Sequence, residues 1–188
     1  MTLEKGKEAA ELKKTIYRHN LIIIALLCTT TLAPAVIFYT TGPGKLKWLL
    51  VFIIISFLFS RIPKSFYDKF QLSQDIRIYK KLKVHLFKRF ATNGDFINRR
   101  IRNKFPKHRN ISDYGSIREK LKETYTTEKS HTVLFLFCLK TSVYAFAISS
   151  LGTAIFLTAG NLIFNYYPNL LQQYNRIRYK KVIQDYYQ

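Results

Sequence analysis

Two unlike kinds of segment alternate along this chain. Leu21 to Thr40 holds no charge over 20 residues, which as a helix is about 30 Å, the thickness of a hydrocarbon core. A second apolar run, Trp48 to Ser60, extends to about 16 residues with Leu46 and Ile62. Gly42-Pro43-Gly44 between the two is a turn signal, so the pair predicts a helical hairpin closed by Arg61 and stopped by Pro63. Thr132 to Tyr167 is apolar apart from Lys140. As one helix this stretch would be about 54 Å long, too much for a single crossing. Ser149, Ser150 and Gly152 offer a break, which predicts a second hairpin from crossings at 132–147 and 151–170.

The segments around these runs are polar but periodic. Residues 1–20, with five basic and three acidic side chains, read as a short amphipathic lead-in helix. Arg61 to Lys129 carries 19 Lys/Arg against 7 Asp/Glu. Within it Leu72, Ile76, Tyr79, Leu82, Leu86 and Phe90 form one apolar stripe, which predicts an in-plane helix lying on anionic lipid. Asn93-Gly94-Asp95 reads as a turn, followed by a basic stretch from Arg99 to Arg109. Ser116 with Glu119 three residues later is a capping-box signature that opens the next helix. The expected architecture is an all-α integral membrane protein of two helical hairpins, about four transmembrane helices, with a basic and partly amphipathic connector. Its parts form a single membrane domain: lead-in 1–20, first hairpin 21–62, connector 63–130, second hairpin 131–171 and basic tail 172–188.

Charge changes the picture only by setting orientation. A net charge of +20 over 188 residues would point to nucleic acid in a soluble protein. Here two hairpins put both termini, the connector and the Arg176-Ile-Arg178-Tyr-Lys180-Lys181 tail on one side, so the positive-inside rule accounts for the basic excess and nucleic acid is not an expected partner. A multi-pass protein of the cell membrane is expected, its termini and connector cytoplasmic. Ala33-Pro34-Ala35 resembles a small-residue cleavage site, but the apolar run continues through Val36, Ile37 and Phe38, so the first span reads as uncleaved. Cys28 and Cys138 lie inside apolar runs without metal-ligand spacing and read as small apolar residues. No bound metal or cofactor is expected.

Candidate chemistry concentrates where the connector meets the second hairpin. On a helix from Ile117, the residues Leu121, Thr124, Glu128 and His131 share one stripe. A carboxylate three residues before a His can orient the ring and leave its other nitrogen to take a proton, as a general base on a hydroxyl does. The same residues also suit a plain helix exit from the membrane. Glu123 lies about 100° away and reads as a supporting partner or a solvated side chain. The second cluster, Gln172 to Arg178, follows the last apolar run at the same depth. Its Arg side chains suit phosphate or carboxylate capture and Asn175 suits an oxyanion, although a basic stop-transfer flank has the same composition.

Taken together these motifs resemble the glycosyl-4,4'-diaponeurosporenoate acyltransferase family. The carriers are Arg61-Ile62-Pro63 with the aromatics after it, the Tyr79–Lys88 segment ending in Phe87-Lys88 and followed by Gly94, Glu123-Thr124 with Glu128 and His131 (E-T-x-x-x-E-x-x-H), and Gln172-x-Tyr174-Asn175-Arg176-x-Arg178. The chain departs from the family pattern at Thr132, Gln173 and Ile177, where the family has Trp, Arg and Pro. An acidic residue expected upstream of Tyr79 has only Asp75 nearby. The resemblance implies transfer of a fatty acyl group, from a donor such as acyl-CoA, to a sugar hydroxyl of a membrane-held carotenoid glycoside. It implies catalysis by Glu128, His131 and Glu123, and substrate contacts from Thr124, Tyr174, Asn175, Arg176, Arg178 and Lys88. His131, oriented by Glu128, would take the proton, and Asn175 and Arg176 would hold the oxyanion or the donor's phosphate.

Two other classes compete. A non-catalytic polytopic protein could bind anionic lipid or a partner through the basic connector. A transporter or assembly subunit would need charge or broken helix at mid-membrane, for which only Lys140 and the Ser149–Gly152 break qualify.

Overall fold

Pro34 decides the shape of the first apolar segment. A computed structural model describes residues 2–42, 44–89, 91, 94–106, 111 and 113–187 of the protein, and all regular structure among them is helical. Helix α1 (Thr2–Leu27) passes through a π-turn (Cys28–Leu32) into α2 (Ala33–Thr40) without interruption. Pro34 lacks the N–H that would pair with the Thr30 carbonyl, and the wider turn absorbs this, with the Ala33 N–H donating to the Cys28 carbonyl. The hydroxyls of Thr29, Thr30 and Thr31 donate to carbonyls one turn back. The polar lead-in and the first span are therefore one rod, and the expected boundary at residue 20 is not a break. Charge had marked a change of environment, not of conformation.

Helix α3 (Leu46–Leu58) turns back along this rod and a 3-10 turn (Phe59–Arg61) ends it before Pro63. The hairpin docks on α8 (Tyr114–Ala147) through aromatic rings. Tyr39 stacks on Tyr144 with centroids 6.2 Å apart, and its hydroxyl donates to Thr141 Oγ1 at 3.0 Å. Ala35, Phe38, Phe137, Cys138 and Leu157 complete this core. The opposite faces, from Leu21 to Leu26 and from Ile53 to Leu58, leave large apolar side chains uncovered.

Asp113 caps α8. Its side chain accepts from the Ser116 N–H at 2.8 Å while its own N–H donates to Ser116 Oγ at 3.1 Å. The capping box is real but sits one turn earlier than Ser116/Glu119, because Asp113 takes the first position and Ser116 the reciprocal one. The helix ends where a break was expected: Ser149 adopts a left-handed φ of 60° and the chain reverses into α9 (Leu151–Asn161). A second π-turn (Leu162–Tyr166), two residues before Pro168, leads into α10 (Tyr167–Tyr187). Only Ala10–Thr40 and Tyr114–Ala147, of the described residues, are long and apolar enough to cross a membrane, and 17% and 28% of their most apolar windows are buried. Two such helices are seen where four spans were expected.

Gly160 lets α9 cross the first π-turn. A Cβ built there would lie 3.2 Å from the Thr30 carbonyl oxygen, to which Pro34 has no N–H to donate, and 3.2 Å from Thr31 Cγ2. Gly160→Leu should part the helices and lower stability by about 1–3 kcal/mol, read as the unfolding midpoint of the detergent-solubilised protein. An unchanged midpoint would mean that the crossing is not tight.

The connector departs furthest from expectation. Ahead of α8, whose first half it supplies, it folds as four short helices, α4 (Lys64–Lys69), α5 (Ile76–Lys81), α6 (Val84–Phe87) and α7 (Asp95–Lys104). The single in-plane helix predicted from the apolar stripe is broken at Lys83, whose φ is 56°. Tyr79 and Val84 bury against Leu170, Leu171 and Tyr174, whereas Leu72, Leu82 and Leu86 face outward. Packing on α10 thus divides the stripe between two surfaces. Helix α7 uses Ile97, Ile101 and Phe105 to pack on Leu12 and Ile16 of α1. Phe90, Pro43, Asn93 and residues 107–109, which belong to the predicted stripe, turns and basic stretch, lie outside the described residues.

Candidate active site

A polar edge on one helix builds the site. Asn161, Asn165, Asn169 and Gln173 recur every four residues, with Arg176 three further and Lys180 four beyond that, so they form one stripe along α9–α10. The stripe faces α8, and antiparallel packing turns it into a seam of polar contacts. At the apolar end Asn161 Nδ2 donates to the Phe135 carbonyl at 3.0 Å. This orients the Asn161 amide so that its Oδ1 accepts from Asn165 Nδ2 at 2.9 Å. Asn165 Oδ1 is then the atom 3.4 Å from His131 Nδ1, and an acceptor there places the ring's proton on Nδ1. The Phe164 carbonyl, which Pro168 deprives of its helical donor, is a second acceptor beside the same ring.

One turn further on, Thr132 Oγ1 donates to the Glu128 carbonyl at 2.8 Å and accepts from Asn169 Nδ2 at 3.4 Å. The centre of the seam is Glu128. Its Oε1 accepts from Gln173 Nε2 at 2.7 Å and its Oε2 from Arg176 Nη1 at 2.6 Å. Arg176 is fully buried. Its Nη2 donates to the Tyr67 carbonyl at 3.2 Å, its Nε to Gln71 Oε1 at 3.4 Å, and its guanidinium lies 4.5 Å over the ring of Tyr125. Gln173 Oε1 accepts from the Leu72 N–H and lies 3.0 Å from the Tyr79 hydroxyl, tying α5 to α10.

Asp68 ends the seam at the surface. It accepts from Tyr125 Oη at 2.8 Å and from Lys180 Nζ at 2.7 Å, and lies 3.7 Å from Arg176 Nε. Burial alone would raise its pKa, but the bonds from Lys180 and Tyr125 and the charges of Lys180 and Arg176 outweigh that and hold the carboxyl below its usual range. A folded-state pKa below the unfolded one contributes stability at pH above about 4, lost as pH falls through the folded value. Wild type should therefore unfold at higher temperature than Asp68→Asn near neutrality, with the gap closing below about pH 4. A gap independent of pH would remove the ionised carboxylate from the network.

The two sequence clusters, expected at the same depth, meet between α8 and α10 through pairings other than those expected. Glu128 does not orient His131. Its carboxylate is taken by Arg176 and Gln173 from another helix, because a buried carboxylate gains more from a guanidinium than from a neighbouring imidazole, and Asn165 takes the ring instead. Arg176, whose donors are committed to Glu128, Tyr67 and Gln71, is not open to a donor's phosphate. Glu123 stands on the outer face and pairs with Lys120 at 2.7 Å, away from the seam. Thr124 is buried, its hydroxyl donating to the Leu121 carbonyl. Tyr174 is a packing residue against Tyr79, and Arg178 lies over its ring on the exposed side. Asn175 sits about 100° round α10 from Arg176. Lys88 pairs with Asp95 at 2.9 Å. Asp68, not Asp75, is the acidic residue at the site. Asp75 caps α5 and binds Arg77 at the surface.

Sequence reasoning missed Tyr67, Asp68, Tyr125 and the three Asn residues. The spacing of Asn161, Asn165, Asn169 and Gln173 was a visible signal for the last group. A cavity of about 180 Å³ opens beside Glu128, with Tyr67, Thr132, Asn169 and Gln173 as its polar lining and Phe66, Phe70, Phe135 and Tyr166 among its apolar walls. His131 does not line it but flanks the same face of α8, about 60° round the helix from Glu128. Among the described residues no group of three or more His, Cys, Asp or Glu is placed to hold a metal ion.

Fold and site thus define a helical protein with two helices of membrane-crossing length and a buried Glu–Arg centre beside an aromatic-walled cavity. The chain belongs to the glycosyl-4,4'-diaponeurosporenoate acyltransferase family, whose model matches residues 63–185. That span takes in α4 to α9, all but the last two residues of α10, and every residue of the seam. No curated protein and no solved structure matches the chain significantly.

Proposed function

We propose that this protein is a multi-pass membrane enzyme that moves a fatty acyl group from a donor such as acyl-CoA to a sugar hydroxyl of a carotenoid glycoside. Membership of the family supports the reaction class and the acceptor. The observation that carries the reading is the cavity beside the buried Glu128–Arg176 pair, set where α8 passes from its charged to its apolar half. An amphiphilic acceptor presents its sugar at that level while its chain stays in lipid.

Four crossings fit this reading: the two arms of the first hairpin, the apolar half of α8, and α9 with the start of α10. Both termini and the connector then share the cytoplasmic side with the acyl donor. The exposed cations of the connector, among them Arg77, Lys80, Arg99 and Arg102, would draw an anionic donor to the surface. His131, beside the cavity on the same face of α8, is the candidate general base for a hydroxyl at the cavity's edge, with Nδ1–H turned to Asn165 and the ring's lone pair left to take that proton. Glu128 and Arg176 hold α8, α10 and the connector in register around the cavity.

The test is acyl transfer in membranes containing the protein, supplied with a carotenoid glucoside and acyl-CoA, with lipid extracts analysed by mass spectrometry. A new acylated glycolipid is the expected result. Its absence with every glycolipid tried would transfer the weight to a lipid-binding role for the basic connector.

A further inference from the structure

We infer that the cavity beside Glu128 is a subsite for one sugar ring, with Tyr67 and Asn169 as the residues that bind its hydroxyls. Two of its lining residues, Tyr67 and Asn169, each hold a buried polar atom, Oη and Oδ1, that has no hydrogen-bond partner among the described residues. Tyr67 is only 4% exposed, so its hydroxyl is cut off from bulk water. It comes near Thr132 Oγ1 but makes no hydrogen bond with it. Asn169 spends its NH₂ on Thr132 Oγ1, whose own proton goes to the Glu128 carbonyl, which leaves the amide oxygen as the free end. A buried polar group without a partner is costly, so two of them in residues beside one cavity mark groups kept for a ligand.

The chemistry of the lining selects the ligand. Asn169 Oδ1 can only accept, so its partner must donate, and Tyr67 Oη can do either. A phosphate or carboxylate gains little, because it would meet this acceptor oxygen while Arg176, the nearby cation, is committed to Glu128. An ammonium gains little, because Arg176 already neutralises Glu128. A neutral hydroxyl donates and accepts at once, and neighbouring hydroxyls on one ring satisfy both atoms. Phe66, Phe70, Phe135 and Tyr166 supply flat apolar walls for the C–H face of the ring and the start of an attached chain. The ligand class rests on the acyltransferase reading, but its test needs no turnover.

The probe is an alkyl glucoside with a diazirine on the chain next to the sugar, photolysed with the full-length protein in membranes. Labelled peptides should contain Phe66 to Phe70 or Phe135. Octyl glucoside should compete and octanol should not. Tyr67→Phe and Asn169→Leu should each raise the competing concentration roughly 3- to 10-fold, the value of one lost hydrogen bond. Tyr67→Phe should also unfold no earlier than wild type without ligand, because the hydroxyl it removes stabilises nothing there. Labelling elsewhere, equal competition by octanol, or unchanged competition in both variants would overturn the subsite. A destabilised Tyr67→Phe with unchanged competition would do so too, by making the hydroxyl structural. If the labelling pattern holds while no acyl transfer is found, the subsite stands and the reaction falls. If transfer continues while labelling is indifferent to both residues, the reaction stands and the subsite falls.

Discussion

Arg176→Met is expected to destabilise the protein by about 3–5 kcal/mol, the usual cost of leaving one member of a buried ion pair behind. Arg176 has no exposed surface, and Glu128, 3% exposed, would lose the cation that pairs with it. Gln173 alone cannot neutralise that carboxylate. The Tyr67 carbonyl, Gln71 and the face of Tyr125 would lose their partner in the same step. Those groups lie on α4, the segment after it and α8, so the connector would loosen from both long helices. The double variant Glu128→Gln/Arg176→Met should recover part of the loss, because it leaves no unpaired charge. Denaturant unfolding of the purified protein in detergent reads both values. A single variant as stable as wild type, or a double variant equal to the sum of the singles, would show that the pair is not coupled.

His131→Ala should lower acyl transfer by at least roughly 10²-fold, the lower range for a general base, with normal membrane insertion and little change in stability. The ring is held through Asn165, Asn161 and the Phe135 carbonyl. Asn165→Leu should therefore slow the reaction by a smaller factor and shift its pH profile, because the tautomer is no longer assigned. Glu128→Gln is expected to behave differently. Its main effect is loss of stability through Arg176, and rate should fall with the folded fraction. Full activity in His131→Ala would remove the base from this mechanism, and a rate loss in Glu128→Gln with unchanged stability would return catalysis to the carboxylate.

Much of the architecture was legible in the chain because it depends on local quantities. Leu21–Thr40 and the apolar part of α8 declare themselves by length and the lack of charge, and Ser149 with Ser150 marks the reversal between α8 and α9 because left-handed backbone is needed there. Pro34 and Pro168 each follow a π-turn for one reason, a missing N–H. The family could be recognised because its motifs are short and lie in the order that the helices impose. The stripe from Leu72 to Phe90 misled because periodicity shows which positions are apolar, not which surface covers each of them. Tyr79 found α10, Leu82 and Leu86 did not, and the helix broke between them.

Partner choice inside the site belonged to the tertiary structure alone. In isolation α8 offers Glu128 a neighbour one turn away in His131, and the spacing is right for that bond. Packing brings a guanidinium and an amide from a helix some 45 residues further along the chain, and a buried carboxylate is better neutralised by a cation than by an imidazole. Asp68 could not be told from any other acid of the connector until Lys180, Tyr125 and Arg176 surrounded it. Local pattern was enough for most of the helices, the reversal between α8 and α9, and the family. The packing of α10 on α8 decided which polar groups satisfy each other and which two, Tyr67 Oη and Asn169 Oδ1, are left without a partner in residues that line a cavity, because hydrogen bonds between distant residues depend on distances that no spacing along the chain encodes.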